Sequence, residues 1–218
     1  MPRLKLPKTR PKKNKNKLTH NKNMKIDIKL ITKLRKQTGA GMEICKEALT
    51  EADGDMAKAV EVLRKKGSKI ADKRAGKEAQ EGIICSYIHS NNKVGVLLEL
   101  NCETDFVAKN EDFKKLAYDL AMQVAAQSPL YVNIDDIPEE VSNKEKEIVK
   151  EQLLAEGKNV KMLDKIIEGK LNKWYEEVCL LKQPFIKDED ITIEELINGK
   201  IASLGEKVKV GGFCRKQI

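Results

Sequence analysis

Glu99-Leu100-Asn101-Cys102-Glu103-Thr104-Asp105-Phe106-Val107-Ala108-Lys109-Asn110 is the stretch on which the reading of this chain turns. An apolar strand runs into it, a polar turn follows, and Asn110 stands where it can cap a helix. Glu111 and Asp112 then place negative charge at the positive end of that helix's dipole. Phe106 lies in the polar turn, between Asp105 and the cap. A lone phenylalanine is usually a core residue, but an exposed ring in such a turn is better explained by a pocket on a partner.

Upstream of the turn the hydrophobic period is two. Ile83, Cys85, Tyr87 and His89 alternate with Ile84, Ser86 and Ile88, and Ser90-Asn91-Asn92-Lys93 turns the chain into an apolar run over 94–100. This predicts a β-hairpin, with His89 exposed beside the turn. Downstream, Leu116, Leu120, Met122 and Val124 continue a helix to Pro129, and 131–134 reads as a short strand. Pro138 opens a charged helix to about Glu156. Another helix is expected over 160–181, with Met162, Ile166, Ile167, Trp174 and Val178 inward, then a short helix over 193–198 and a last strand over 207–214. Strands and helices in this order give an α+β body over 81–218, a helix-covered antiparallel β core.

Before the body, Ile26, Ile28, Ile31 and Leu34 fall near one helical face, and Thr38-Gly39-Ala40-Gly41 stops the pattern. Ile44, Ala48 and Leu49 line a second helix that Asp53-Gly54 breaks. Asp55 can cap a third, carrying Met56, Ala59, Val60 and Leu63, which Gly67 is expected to end. The result is a small three-helix domain over 25–67, joined to the body by a Lys-, Ala- and Glu-rich linker over 68–80.

Composition narrows the function. Of the net charge of +8, residues 1–25 supply +10 without one acid, which leaves −2 for everything that follows. The tail over 1–24 therefore reads as a basic disordered segment attracted weakly and non-specifically to polyanions such as RNA, or as a dispensable leader ahead of Met24. It lacks the apolar core of a secretory signal. No apolar run approaches the roughly 20 residues that cross a bilayer. The cysteines Cys45, Cys85, Cys102, Cys179 and Cys214 are scattered and never form a C-x-x-C pair, so neither a disulfide framework nor a zinc site is expected. Gly76-Lys77 and Gly199-Lys200 are followed by Glu78 and Ile201, so neither ends a phosphate-binding loop and no direct nucleotide binding is expected. With only His20 and His89, no histidine triad or multi-histidine metal site can be built. A binding protein, not an enzyme, and no cofactor, is the reading.

Three stretches resemble the elongation factor Ts family: 34–42 (Leu-Arg-Lys-Gln-Thr-Gly-Ala-Gly-Met) with Cys45-Lys46-Glu47-Ala48-Leu49, the 99–110 stretch quoted above, and Gln183-Pro184-Phe185. The likeness runs from about residue 26 to 215 in the family's order. It implies that the small bundle is a ubiquitin-associated-like domain and that the chain is a guanine-nucleotide exchange factor for the GTPase elongation factor Tu. By the same resemblance Thr104, Asp105, Phe106 and Val107 form the loop that disturbs the partner's Mg²⁺ site, with Phe106 as wedge and Asp105 positioning the loop. Thr38, Gly39, Gly41 and Met42 would grip the partner's nucleotide domain.

The chain departs from the family pattern at Met42-Glu43, where two hydrophobic residues are usual, and at Gly211-Gly212, where basic residues are usual. The coiled-coil insertion and carboxy-terminal helical module of longer members are expected to be missing. A homodimer joined along the last strand, with Cys214 on its edge, would restore contact area. Bacterial cytoplasm and plastid stroma both fit. The rival readings are a ribosome- or RNA-associated accessory protein acting through the tail, and a ubiquitin-like-binding adaptor, which leaves the 104–107 loop without a purpose.

Overall fold

The computed structural model describes residues 26–156 and 163–218; the basic tail over 1–24 and the expected helix start at Val160 and Met162 lie outside them. Helices α1 (Ile28–Thr38), α2 (Met42–Glu51) and α3 (Met56–Arg74) form the amino-terminal bundle. Each starts or stops for a local reason. Asp27 accepts the Lys29 amide and Asp55 the Lys58 amide, while Gly39 closes α1 at φ 70°, a left-handed conformation that glycine adopts freely. The apolar stripes meet in a core of Ile31, Leu34, Cys45, Ala48, Leu49, Ala59 and Leu63.

Gly67 does not end α3, as expected from sequence; the helix runs on to Arg74. The reason is tertiary. A Cβ on Gly67 would sit 3.3 Å from the Asn198 carbonyl oxygen, so glycine lets α3 lie closely across α8 (Ile193–Leu204), and Ile70 and Ala71 pack on the body's core. Half of the expected linker is thus helix. The same crossing explains why α8 passes through Asn198-Gly199 instead of stopping at 198: burial of Ile197 and Ile201 outweighs one poor helix former. A Thr192–Glu195 capping box starts α8, and Gly205 ends it at φ 75°.

The body is built on a three-stranded antiparallel sheet in the order β1 (Glu81–Ile88), β2 (Val94–Cys102), β5 (Val208–Gln217). The period-two pattern points Val96, Leu98, Leu100 and Cys102 inward against α5 (Glu111–Gln127), which contributes Phe113, Leu116, Leu120 and Val124. Ile84, Ile88, Leu97 and Cys214 are left on exposed positions of the strands. A small hairpin, β3 (Pro184–Phe185) with β4 (Asp188–Thr192), was not foreseen. It is pinned by buried Gln123, which donates to the Pro184 carbonyl (3.0 Å) and accepts the Ile186 amide (2.9 Å). The short strand expected at 131–134 reduces to one bridge, Tyr131 with Cys179, followed by a single 3-10 turn at Ile134–Asp136.

Two further helices, α6 (Glu139–Ala155) and α7 (Leu163–Val178), pair through a separate cluster of Val149, Leu153, Leu163 and Ile167. The end of α6 meets the start of α7, so the pair is antiparallel. Both helices lie where the sequence predicts them, from Pro138 to about Glu156 and within 160–181. No described helix is long and apolar enough to cross a membrane.

Burial pushes the Cys179 thiol up to about 11 and raises those of Cys45, Cys85 and Cys102, whereas Cys214 is exposed. A thiol reagent at pH 8 should therefore modify Cys214 well before Cys45, Cys102 and Cys179, all of which should react quickly only after denaturation. Phe113, fully buried, anchors the α5 face of the core, and Phe113→Ala should lower the unfolding free energy by about 3–5 kcal/mol in urea titration.

Candidate functional site

At the end of β2 the chain turns into α4 (Asp105–Ala108), a single turn of helix. Thr104 adopts extended backbone and caps it, its Oγ1 accepting the Val107 amide at 3.5 Å. Two residues past α4, Asn110 caps α5 by accepting the Asp112 amide at 2.8 Å. Two caps within seven residues leave this corner little conformational freedom. Lys109 Nζ donates to Asp105 Oδ2 (2.7 Å), and that bond holds the Asp105 carboxyl below its ordinary value. Ala108 is buried and Val107 packs against the core, so α4 is fastened on one side. Phe106 leaves on the other and is 82% exposed, against 0% for Phe113.

The residues that hold this corner come from distant parts of the chain. Thr104 donates twice to Glu206, from its amide to Oε2 (3.0 Å) and from Oγ1 to Oε1 (2.7 Å). In return, Glu103 accepts the Lys207 amide (2.6 Å) and both of its oxygens accept from Arg74 Nη1 (3.2 and 3.1 Å). Lys207 Nζ in turn donates to the carbonyls of Ala75 and Lys77, just past α3. Sequence reading missed Arg74, Glu206 and Lys207. Their charges look like solvated helix ends, and only the fold brings them to Thr104.

The second candidate group sits between α1 and α2. Thr38 Oγ1 donates to the Leu34 carbonyl (2.8 Å) and accepts the Ala40 amide (3.4 Å), while Gly39 returns its amide to the Arg35 carbonyl. Gly41 precedes α2 with φ −61°, and a side chain there would meet nothing within 4 Å. Met42 is 41% exposed and Glu43 is exposed beside it. Thr38 and Ala40 also line a cleft of about 270 Å³ between the bundle and α8, whose other wall includes Leu196 and Lys200. Ala40 belongs to the bundle's core and Val107 packs on the body's, so the two candidate segments rest on different hydrophobic cores. Cys214 lies on β5, an edge strand. Among the described residues no group of His, Cys, Asp and Glu is arranged to hold a metal ion.

Comparison with known proteins fits these features. A family model described as "Elongation factor TS" matches residues 19–218. The elongation factor Ts of Syntrophus aciditrophicus is 60% identical over 195 residues, covering 89% of this chain and 97% of that protein. That of Moorella thermoacetica is 60% identical over 185 residues, covering 85% and 91%. That of Thermotoga maritima is 53% identical over 195 residues, covering 89% and 97%. With the family model spanning nearly all of the sequence and relatives of this identity aligned almost end to end, the chain belongs to the elongation factor Ts family.

Proposed function

We propose that this chain is a guanine-nucleotide exchange factor that binds elongation factor Tu carrying GDP and speeds release of the nucleotide, acting by insertion and not by covalent chemistry. One observation carries the reading: an aromatic ring 82% exposed on a doubly capped, side-anchored turn. A large exposed ring on a mobile loop is common surface; a ring presented on a fixed turn is the form of a binding anchor, because little ordering is left to be done on association.

GDP on a GTPase is held through its phosphates and an Mg²⁺ ion of the partner that tolerates little departure from octahedral geometry. In this reading Phe106 enters between side chains of the GTPase near that ion, and a displacement of about an ångström weakens the metal and the nucleotide together. Asp105, tied to Lys109, keeps the turn in register, and Thr104 and Val107 complete the loop. The 38–42 segment holds the partner's nucleotide domain. The left-handed φ at Gly39 favours glycine, but neither backbone nor space calls for one at Gly41. A bare backbone there suits close approach of another molecule. Since coupling is reciprocal, GTP with its metal must in turn weaken binding of the factor, which makes the action cyclic.

In this reading the work is done in a bacterial cytoplasm during translation elongation, and the bacterial origin of the relatives supports it. Two further contacts belong to the proposal. The basic residues over 1–24 would add weak, salt-sensitive attraction to RNA. The exposed Ile84 (74%), Leu97 (54%) and Cys214, together with the open edge of β5, favour self-association through this sheet. Sedimentation at micromolar concentration should show a dimer that Leu97→Glu converts to monomer; a monomeric parent rejects it.

Phe106→Ala should slow stimulated GDP release from elongation factor Tu by about tenfold to a hundredfold, equivalent to about 1.4–2.8 kcal/mol, in a fluorescent-GDP displacement assay. Its unfolding free energy should stay within about 0.5 kcal/mol of the parent, because the ring makes so little contact with its own chain. Exchange at the parent's rate would sink the insertion reading. Gly41→Val should fold normally yet raise the concentration of factor needed for half-maximal exchange.

A further inference from the structure

We infer that Glu206 is a positioning residue for exchange: it sets the turn that presents Phe106, although it belongs to the connection between α8 and β5, about a hundred residues away in sequence. The inference deepens the proposed function and rests on it for its activity arm alone.

A hydroxyl has one proton to give and lone pairs to accept with. Thr104 Oγ1 gives its proton to Glu206 Oε1 at 2.7 Å, which turns its lone pairs toward the Val107 amide. The second oxygen of Glu206 takes the Thr104 amide at 3.0 Å, so a single carboxylate fixes both the backbone and the rotamer of the cap. Hydrogen bonds to a charged acceptor are about twice as strong as neutral ones. Without Glu206 the Thr104 hydroxyl could rotate and the cap would be one weak contact on a single helical turn. A helix of four residues has no stability of its own to fall back on.

Glu206 is itself held. Gly205 at φ 75° ends α8 and aims the next residue at β2, and the Lys207 amide is taken by Glu103 on the opposite turn. The two turns therefore grip each other from both sides. Arg74, at the end of α3, meets Glu103 in the same place, so the helix that carries the bundle and the turn that carries Phe106 share one anchor.

The test uses the full chain with Glu206→Ala, Glu206→Gln, Thr104→Val, Phe106→Ala and the Glu206→Ala/Thr104→Val double variant. Amide relaxation of residues 104–108 and GDP release from elongation factor Tu are both read. In Glu206→Ala the order parameters of 104–108 should drop from about 0.85 to below about 0.6 while those of α5 hold. Maximal exchange should fall about tenfold or more, because a ring no longer held in place must be ordered on association. Glu206→Gln keeps one acceptor oxygen and should lie between. The double variant should be no slower than its slower parent, as expected of two residues acting through one interaction. Unchanged order at 104–108 in Glu206→Ala overturns the inference whatever Phe106→Ala does. So does lost order with unchanged exchange, provided Phe106→Ala is slow. If Phe106→Ala is as fast as the parent, the reading of the ring is what fails, and the order parameters alone decide the role of Glu206.

Discussion

Two short turns that exchange hydrogen bonds are the constraint on which the site depends. Residues 103 and 104 leave the central strand; residues 206 and 207 enter the last one. Each pair supplies a carboxylate to the other's backbone. The sheet makes this geometry inevitable, since β2 and β5 are antiparallel neighbours and Cys102 lies opposite Val208. The end of one strand must then face the beginning of the other. Arg74 and Lys207 add the end of α3 to the same junction. A surface junction of this kind contributes only modestly to global stability, because it is partly solvated. Its consequence is local order, and local order is what a presented side chain requires.

Phe106 and Phe113 show what that order does. They are seven residues apart, chemically identical, and assigned to opposite environments. Burying a phenylalanine is worth about 1.5–3 kcal/mol of hydrophobic stabilisation, and the fold takes this at Phe113 but forgoes it at Phe106. Ala108 and Val107 face the core from α4, so the register of one capped turn decides which side of the helix the ring occupies. A free chain that leaves such a ring in water is poised to gain the missing burial from another molecule. The chain's membership of the elongation factor Ts family makes a GTPase of translation the partner to test for that burial.

Much of the fold was legible because its determinants are local. The period of two over 81–100, the caps at Asp55 and Asn110, and the glycine turn at Gly39 act within a few residues, and pattern reading found each. The departures share a tertiary cause. Gly67 and Asn198-Gly199 look like helix ends, yet Gly67 is buried where α3 lies closely across the Asn198 carbonyl, and α8 continues past Gly199. The β3–β4 hairpin depends on a buried glutamine some sixty residues away, and no local pattern announces that. The helix pair α6 and α7 was visible as two helices, but their separate core was not. At the site, Phe106 stands out in the sequence as an aromatic residue in a polar turn, while Thr104, Asp105 and Val107 come with it through the resemblance to the family. Arg74, Glu206 and Lys207 could not, since ionic partners far apart in the chain carry no spacing signal.

The most direct test of the central claim is the solvent exposure of the Phe106 ring, read by a fluorine label on that residue alone and its relaxation by a dissolved paramagnetic agent. In the free chain the label should relax strongly, and on adding elongation factor Tu with GDP it should become protected while a label at Phe113 stays protected throughout. A ring already shielded in the free chain, or one still fully accessible in the complex, would contradict the account.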